Sequence, residues 1–237
     1  MSKLGASGSE PSHVERDFWR VLDKEIPLEL DPFGAEVHFK AAQHGLGLQK
    51  KTQWFLLPHE LLCFLATECC STQLYSEDLG VDGVRDFWRS AGLQEWFQLH
   101  PHRAAVVADP CTCIPIRLHG DDCKEFMCLS WTSTQIRQFA RNPVTCFVSA
   151  EATDETYDEI DIIWRWCLDV LASGHWPTAN HLGQEFTSGY RQRNAGQPFP
   201  GNLRAVLAQI LADWKWIKER MGFPQHYGAF LHVLKWH

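Results

Sequence analysis

Two carboxylates, Asp121 and Asp122, close an apolar run that begins at Ile114, and a second apolar run opens at Phe126. A strand ending in Gly120-Asp121-Asp122 holds a carboxylate rigidly at the rim of a core while leaving it open to solvent. Carboxylate oxygen suits a hard divalent cation, which keeps several waters when bound. Paired ions of this kind activate water and steady the leaving oxygen in phosphodiester cleavage. Such chemistry takes a further acid from elsewhere in the chain. Asp213, set between Ala212 and Trp214-Lys215-Trp216, is the candidate. Asp121 and Asp213 are therefore the expected catalytic pair, and Asp121, Asp122 and Asp213 the expected ligands of Mg²⁺ or Mn²⁺. Plainer readings stand beside these: a solvated Asx-type turn at residues 121–122, and an exposed helical position at Asp213.

Softer ligands are also present. His100 and His102 are separated by one residue, as are Cys111 and Cys113. Structural zinc sites favour cysteines with two to four residues between them, so one intervening residue makes chelation awkward. Adjacent Cys69 and Cys70 are poorer still. The chain carries no Gly-rich phosphate loop, nucleophile elbow or His-Glu-x-x-His.

The elements that would position these groups fall into two blocks. Residues 1–11 are polar and read as a disordered tail. Ser12-His13-Val14-Glu15 has the form of a capping box, followed by apolar residues at helical spacing up to Pro27. Further helices are expected over 35–44, from Pro58 through Leu61, Leu62 and Leu65, and over 82–90, ending at Gly92. Residues 12–99 thus read as a small helical domain. From residue 100 the character changes: 104–108, 114–118, 126–131 and 144–148 are short, rich in β-formers and bounded by turn residues, as in a meander. A helix is expected over 157–172, with Ile160, Ile163, Trp164, Cys167, Leu168 and Leu171 on one face. Residues 173–200 form a loop long enough to suggest a function or an insertion. The segment 203–221 has two parses: one amphipathic helix, favoured by its periodicity, or a buried strand near 204–211 followed by Asp213 and a helix. The expected fold class is α+β, with a helical domain (12–99) ahead of a short mixed or antiparallel sheet with flanking helices (100–237).

A chain of 237 residues can bury a proper core as one domain or two. Its net charge of −7 argues against a nucleic-acid binder that relies on bulk electrostatics. The acids are unevenly spread, however, and six of them fall within residues 151–161. The rest of the C-terminal half is basic, through Arg137, Arg141, Arg191, Arg193, Arg204, Lys215, Lys218 and Arg220, so a DNA-facing strip is expected there. The N-terminal residues lack the apolar stretch of a secretory signal, and no run approaches a membrane span. With nine cysteines, an odd number, reduced thiols and an intracellular location, nuclear or cytoplasmic, are expected.

Two stretches carry a resemblance. Pro115-Ile116-Arg117-Leu118-His119-Gly120-Asp121 and Leu129-Ser130-Trp131-Thr132-Ser133 resemble motifs of uncharacterised mobile-element-like proteins abundant in dinoflagellate genomes. Ala195-Gly196-Gln197-Pro198 and Val206-Leu207 through Ala212-Asp213 are similar to a later block of those proteins, which reads Gly-Asp where this chain has Ala212-Asp213. The resemblance covers about residues 100–222. It implies a DDE transposase-like, partial ribonuclease-H-like core with Asp121 and Asp213 at the first and second acidic positions. The family's third acid and a Cys-x-x-Cys unit have no counterpart here, which implies a truncated, inactive copy. The competing expectation is a non-enzymatic α+β interaction or structural module.

Overall fold

A computed structural model describes residues 31–41, 47–69, 74–76, 78–123, 126–136, 144–149 and 151–212, with the side chains of residues 68, 69, 121–123 and 212 left out. The tail expected over 1–11, the helix expected from near Val14, and everything from Asp213 onward lie outside the described residues.

The described chain is α+β. It opens with an antiparallel hairpin of β1 (Phe33–Lys40) and β2 (Leu48–Phe55), in which Phe33 faces Phe55 and Lys40 faces Leu48. The helix expected over 35–44 is therefore a strand. Burial explains the difference, because Phe33, Ala35, Val37 and Phe39 are buried while the residues between them are open or half-open. That alternation has the two-residue period of a sheet with one covered face.

Helix α1 (Pro58–Phe64) begins at Pro58 as expected and runs on into a π-helical turn, Leu65–Cys69. Helix α2 (Gly80–Ala91) buries Val84 and Trp88, and a short α3 (Glu95–Gln98) follows. The strand expected over 104–108 is instead a single helical stretch, α4 (Arg103–Ala108), which buries only Val106. Its three alanines are strong helix formers, and among the described residues no strand pairs with it.

The second sheet is built from β3 (Cys113–Cys123), β4 (Phe126–Ser133), β5 (Val144–Ser149) and β6 (Arg204–Ala212). Their order is β5-β4-β3-β6: the first three strands form the expected antiparallel meander, and β6 lies parallel to β3. Between β5 and β6 come α5 (Asp154–Ser173), a long connection containing α6 (Gly189–Asn194), and a 3₁₀ turn at Pro200–Asn202. Pro115 fits inside β3 because the β4 ladder begins only at Ile116. Its missing N–H therefore breaks no rung on that side.

Helix α5 starts at a capping box between Thr153 and Thr156 and stops at Gly174 in a left-handed conformation. Ile160, Ile163, Trp164, Cys167, Leu168 and Leu171 are all buried, so its expected inner face is the observed one.

The favoured helical parse of 203–221 is overturned across its described part, which is β6. Leu203, Ala205, Val206 and Leu207 are all buried. A parallel strand covered on both faces reads as a continuous apolar run rather than an alternating one. A bulge at Ala208, where the register jumps from Leu207 to Gln209, shifts the phase as well. Together these imitate helical spacing.

The hairpin docks against the sheet's far edge and against α5. Leu56 donates its N–H to the Thr145 carbonyl at 2.8 Å and Gln53 donates from Nε2 to the Phe147 carbonyl at 3.0 Å. Glu159 accepts both the backbone N–H and the ring Nδ1 of His38, each at 2.7 Å. The buried apolar residues from Phe33 to Leu207 consequently form one contiguous cluster, which crosses residue 100.

Candidate functional site

Asp121 and Asp122 lie within β3 rather than in a turn, paired with Cys128 and Met127 of β4. On the other side of β3, the parallel ladder with β6 closes at the pair Gly120 and Ala212. Each of those residues is followed directly by an aspartate, Asp121 in one strand and Asp213 in the other. The side chains of Asp121 and Asp122, and all of Asp213, lie outside what is described.

The softer candidates are not gathered into a metal site. His100 Nε2 is 2.9 Å from the Leu207 carbonyl, and its Nδ1 accepts the His102 N–H at 3.1 Å. Both ring nitrogens are thus committed, with the proton on Nε2. The bond caps a carbonyl of β6, which has no further strand beside it among the described residues. Cys113 is fully buried, and burial pushes its thiol up to about 12, so it is a packing residue and not a ready thiolate. Among the described residues, no group of three or more His, Cys, Asp or Glu side chains is arranged to hold a metal ion. Cys70 lies outside them.

His102 contributes to a small cleft of about 160 Å³, lined by His100, Pro101, His102, Arg165, Leu168, Asp169 and Leu207. Its Nε2 is 3.4 Å from Asp169 Oδ1. Burial pulls the His102 imidazole below its ordinary range, and Asp169 acts against that shift. The cleft has the volume of a side chain, and its floor is apolar.

The strongest polar constellation was not legible in advance. Glu60 on α1 is 2% exposed and receives Arg191 of α6 in a two-pronged ion pair, Nε to Oε1 at 2.6 Å and Nη2 to Oε2 at 3.0 Å. Arg191 Nη2 also donates to the Asp31 carbonyl at 2.6 Å. The guanidinium lies over the Phe33 and Tyr190 rings, at 5.5 and 5.1 Å. Burial raises the Glu60 carboxyl above its usual range, while the Arg191 bonds and charge pull the other way. The Tyr190 phenol is pushed up by burial and then by the Glu60 charge. Beside this pair sits His59, fully buried and edge-on to the Trp166 and Trp176 rings. Neither of its ring nitrogens has a hydrogen-bond partner among the described residues. Burial, and secondarily Arg191, drives its pKa down to about 3, so it is a neutral ring at ordinary pH. Helical spacing puts Glu60 next to the buried Leu61 and Leu62, but nothing in the local sequence names a partner 131 positions away.

This arrangement thins the expected basic strip. Arg191 is consumed inside the fold, and Arg204 donates to the Ala105 carbonyl at 3.3 Å. Arg193 is exposed, whereas Arg137, Arg141, Lys215, Lys218 and Arg220 lie outside the described residues. No helix among the described residues is long and apolar enough to cross a membrane. No family model, curated protein or solved structure matches the chain.

Proposed function

We propose that this chain is a ribonuclease-H-like protein of DDE-transposase descent that binds Mg²⁺ or Mn²⁺ at the ends of β3 and β6. The observation that carries this reading is the pairing of Gly120 with Ala212. Neighbouring strands are about 4.8 Å apart, so the residues that directly precede Asp121 and Asp213 lie one strand spacing from each other. The connectivity supports the reading too: three antiparallel strands, a helix, then a strand parallel to the first is the order of a ribonuclease-H-like core.

The donor set fits the ion. Carboxylates suit hard cations, and Asp121, Asp122 and Asp213 are all carboxylates. Asp121 and Asp213 would hold the ion, while the β3–β4 and β3–β6 ladders hold the aspartate of β3 in place. A bound ion would supply charge stabilisation and an activated water for phosphodiester cleavage. The substrate class is DNA, and work on DNA goes with an intracellular location. With a net charge of −7, the protein would approach a polyanion through that cation and a local basic strip, not through its overall field.

Turnover in this class takes a third acid, so ion binding is the primary readout and nicking the secondary one. Mn²⁺ or Mg²⁺ is expected to raise the melting temperature of the wild-type chain. Asp121→Asn and Asp213→Asn should both lose that rise, and plasmid nicking, where it occurs, should go with it. Melting curves indifferent to both ions would overturn the reading.

A second reading, a protein-interaction module without enzymatic chemistry, draws support from Leu93, Leu99 and Val107, which are 86, 68 and 60% exposed near α3 and α4. A chain that pulls down a partner through Leu93→Asp-sensitive contacts, yet ignores divalent ions, would favour it.

A further inference from the structure

We infer that residues 174–203 form a strap that can detach as a unit, with the Glu60–Arg191 ion pair as its catch. The inference goes beyond the cation reading and does not rest on it.

A connection of this length seldom stays ordered without tethers of its own. Its two limbs are pinned to each other: Trp176 and Gln197 share a backbone bond of 2.8 Å, Gly196 and Trp176 one of 2.9 Å, and Phe199 and Gly174 one of 2.7 Å. Phe199 is buried against Trp176, with ring centroids 5.8 Å apart. The strap therefore holds its own shape, as a cooperative local unit does.

Its polar attachment to the N-terminal part of the fold runs through Arg191. That one guanidinium reaches α1 through Glu60, the chain before β1 through the Asp31 carbonyl, and the Phe33 ring. The catch is two-sided, because Glu60 is almost fully enclosed and needs a counter-charge wherever it is buried. Release would bare His59 and the Trp166 and Trp176 rings. It would also loosen the start of β6, since Gly174 packs on Leu203 and Arg204.

Hydrogen–deuterium exchange of the full chain, followed by mass spectrometry without added metal, tests this. Arg191→Met should speed exchange across 176–199 by about tenfold or more, with β4 unchanged. Arg191→Lys should fall between the two, because a point charge replaces a fork. The double variant Glu60→Gln/Arg191→Met should exchange as fast as Arg191→Met, since the catch is missing from both; a return to wild-type exchange would show that an unmatched Glu60 charge opens the strap, and would overturn the proposal. Equal exchange in wild type and Arg191→Met overturns the proposal, as does a uniform rise in strap and β4 alike. Should Arg191→Met fail to fold, Glu60→Gln alone decides: faster exchange confined to the strap supports the catch, and unchanged exchange sinks it.

Discussion

Gly120 of β3 and Ala212 of β6 are opposed across a parallel ladder although the helix, the strap and two strands intervene between them in the chain. Asp121 and Asp213 directly follow the two residues of that one rung in the sequence, and the cation reading rests on it.

If both aspartates serve one ion, their substitutions must be non-additive. Asp121→Asn and Asp213→Asn should each abolish Mn²⁺-dependent stabilisation, and the double variant should lose nothing more. Titration calorimetry with Mn²⁺ measures this directly. Successive strand residues serve opposite faces of a sheet. Asp121→Asn and Asp122→Asn should therefore differ, one abolishing binding and the other sparing it; equal effects would count against a site built on β3.

His59 gives the fold an acid-sensitive element. In the unfolded chain its imidazole titrates near 6.5, whereas in the fold it does so at about 3. Between those values the unfolded state holds the extra proton. The stabilisation is thus complete above pH 6.5 and drains away as pH falls toward 3, at up to about 1.4 kcal/mol per pH unit. Glu60, whose carboxyl is raised by burial, contributes in the opposite sense. The comparison of wild type with His59→Leu isolates the histidine: the variant should lose this part of the slope in denaturant melts taken between pH 7 and pH 4.

Gly174 ends α5 at φ 70°, where a Cβ would come within 2.7 Å of the Arg204 side chain and 3.0 Å of the Leu203 carbonyl oxygen. Gly174→Ala should cost about 1–2 kcal/mol from the left-handed backbone alone, and more from the contact. A lower denaturant midpoint with an unchanged slope is the expected result.

The Trp88 indole N–H donates to the Cys113 carbonyl where α2 meets the first residue of β3. Trp88→Phe keeps most of the ring but leaves that carbonyl unpaired in the core. A loss of about 1–3 kcal/mol is expected, and Trp88→Leu should add the penalty of a poorly filled site.

Some elements could be read from the chain. α5 announced its inner face through Ile160, Ile163, Trp164, Cys167, Leu168 and Leu171, and Pro58 marked the start of α1. The meander β3–β4–β5 followed from short β-rich runs between turn residues. β6 was open to two parses, and the rival one, a buried strand near 204–211, is the observed one; periodicity favoured the helix because burial on both faces erases alternation and the Ala208 bulge shifts the remaining phase. β1 was obscured by Ala35 and Glu36, which suit helices when judged alone. The Glu60–Arg191 pair was hidden for a different reason, since a contact across 131 positions leaves no trace in either neighbourhood. At the aspartates, residue type could be read directly, while the rung that relates them came only from the parallel register of β3 and β6.

That parallel register also governs how the molecule is made. β3, β4 and β5 can zip together from nearby segments, but β6 must travel back past the whole meander to reach Cys113. Non-local pairing of this kind is slow, because loop closure comes before any compensating contact. During synthesis the outer side of β3 is therefore left open until the ribosome has released residues 204–212. Dilution from denaturant should show a fast meander phase and a slower, concentration-sensitive one, with aggregation competing for the uncovered flank of β3.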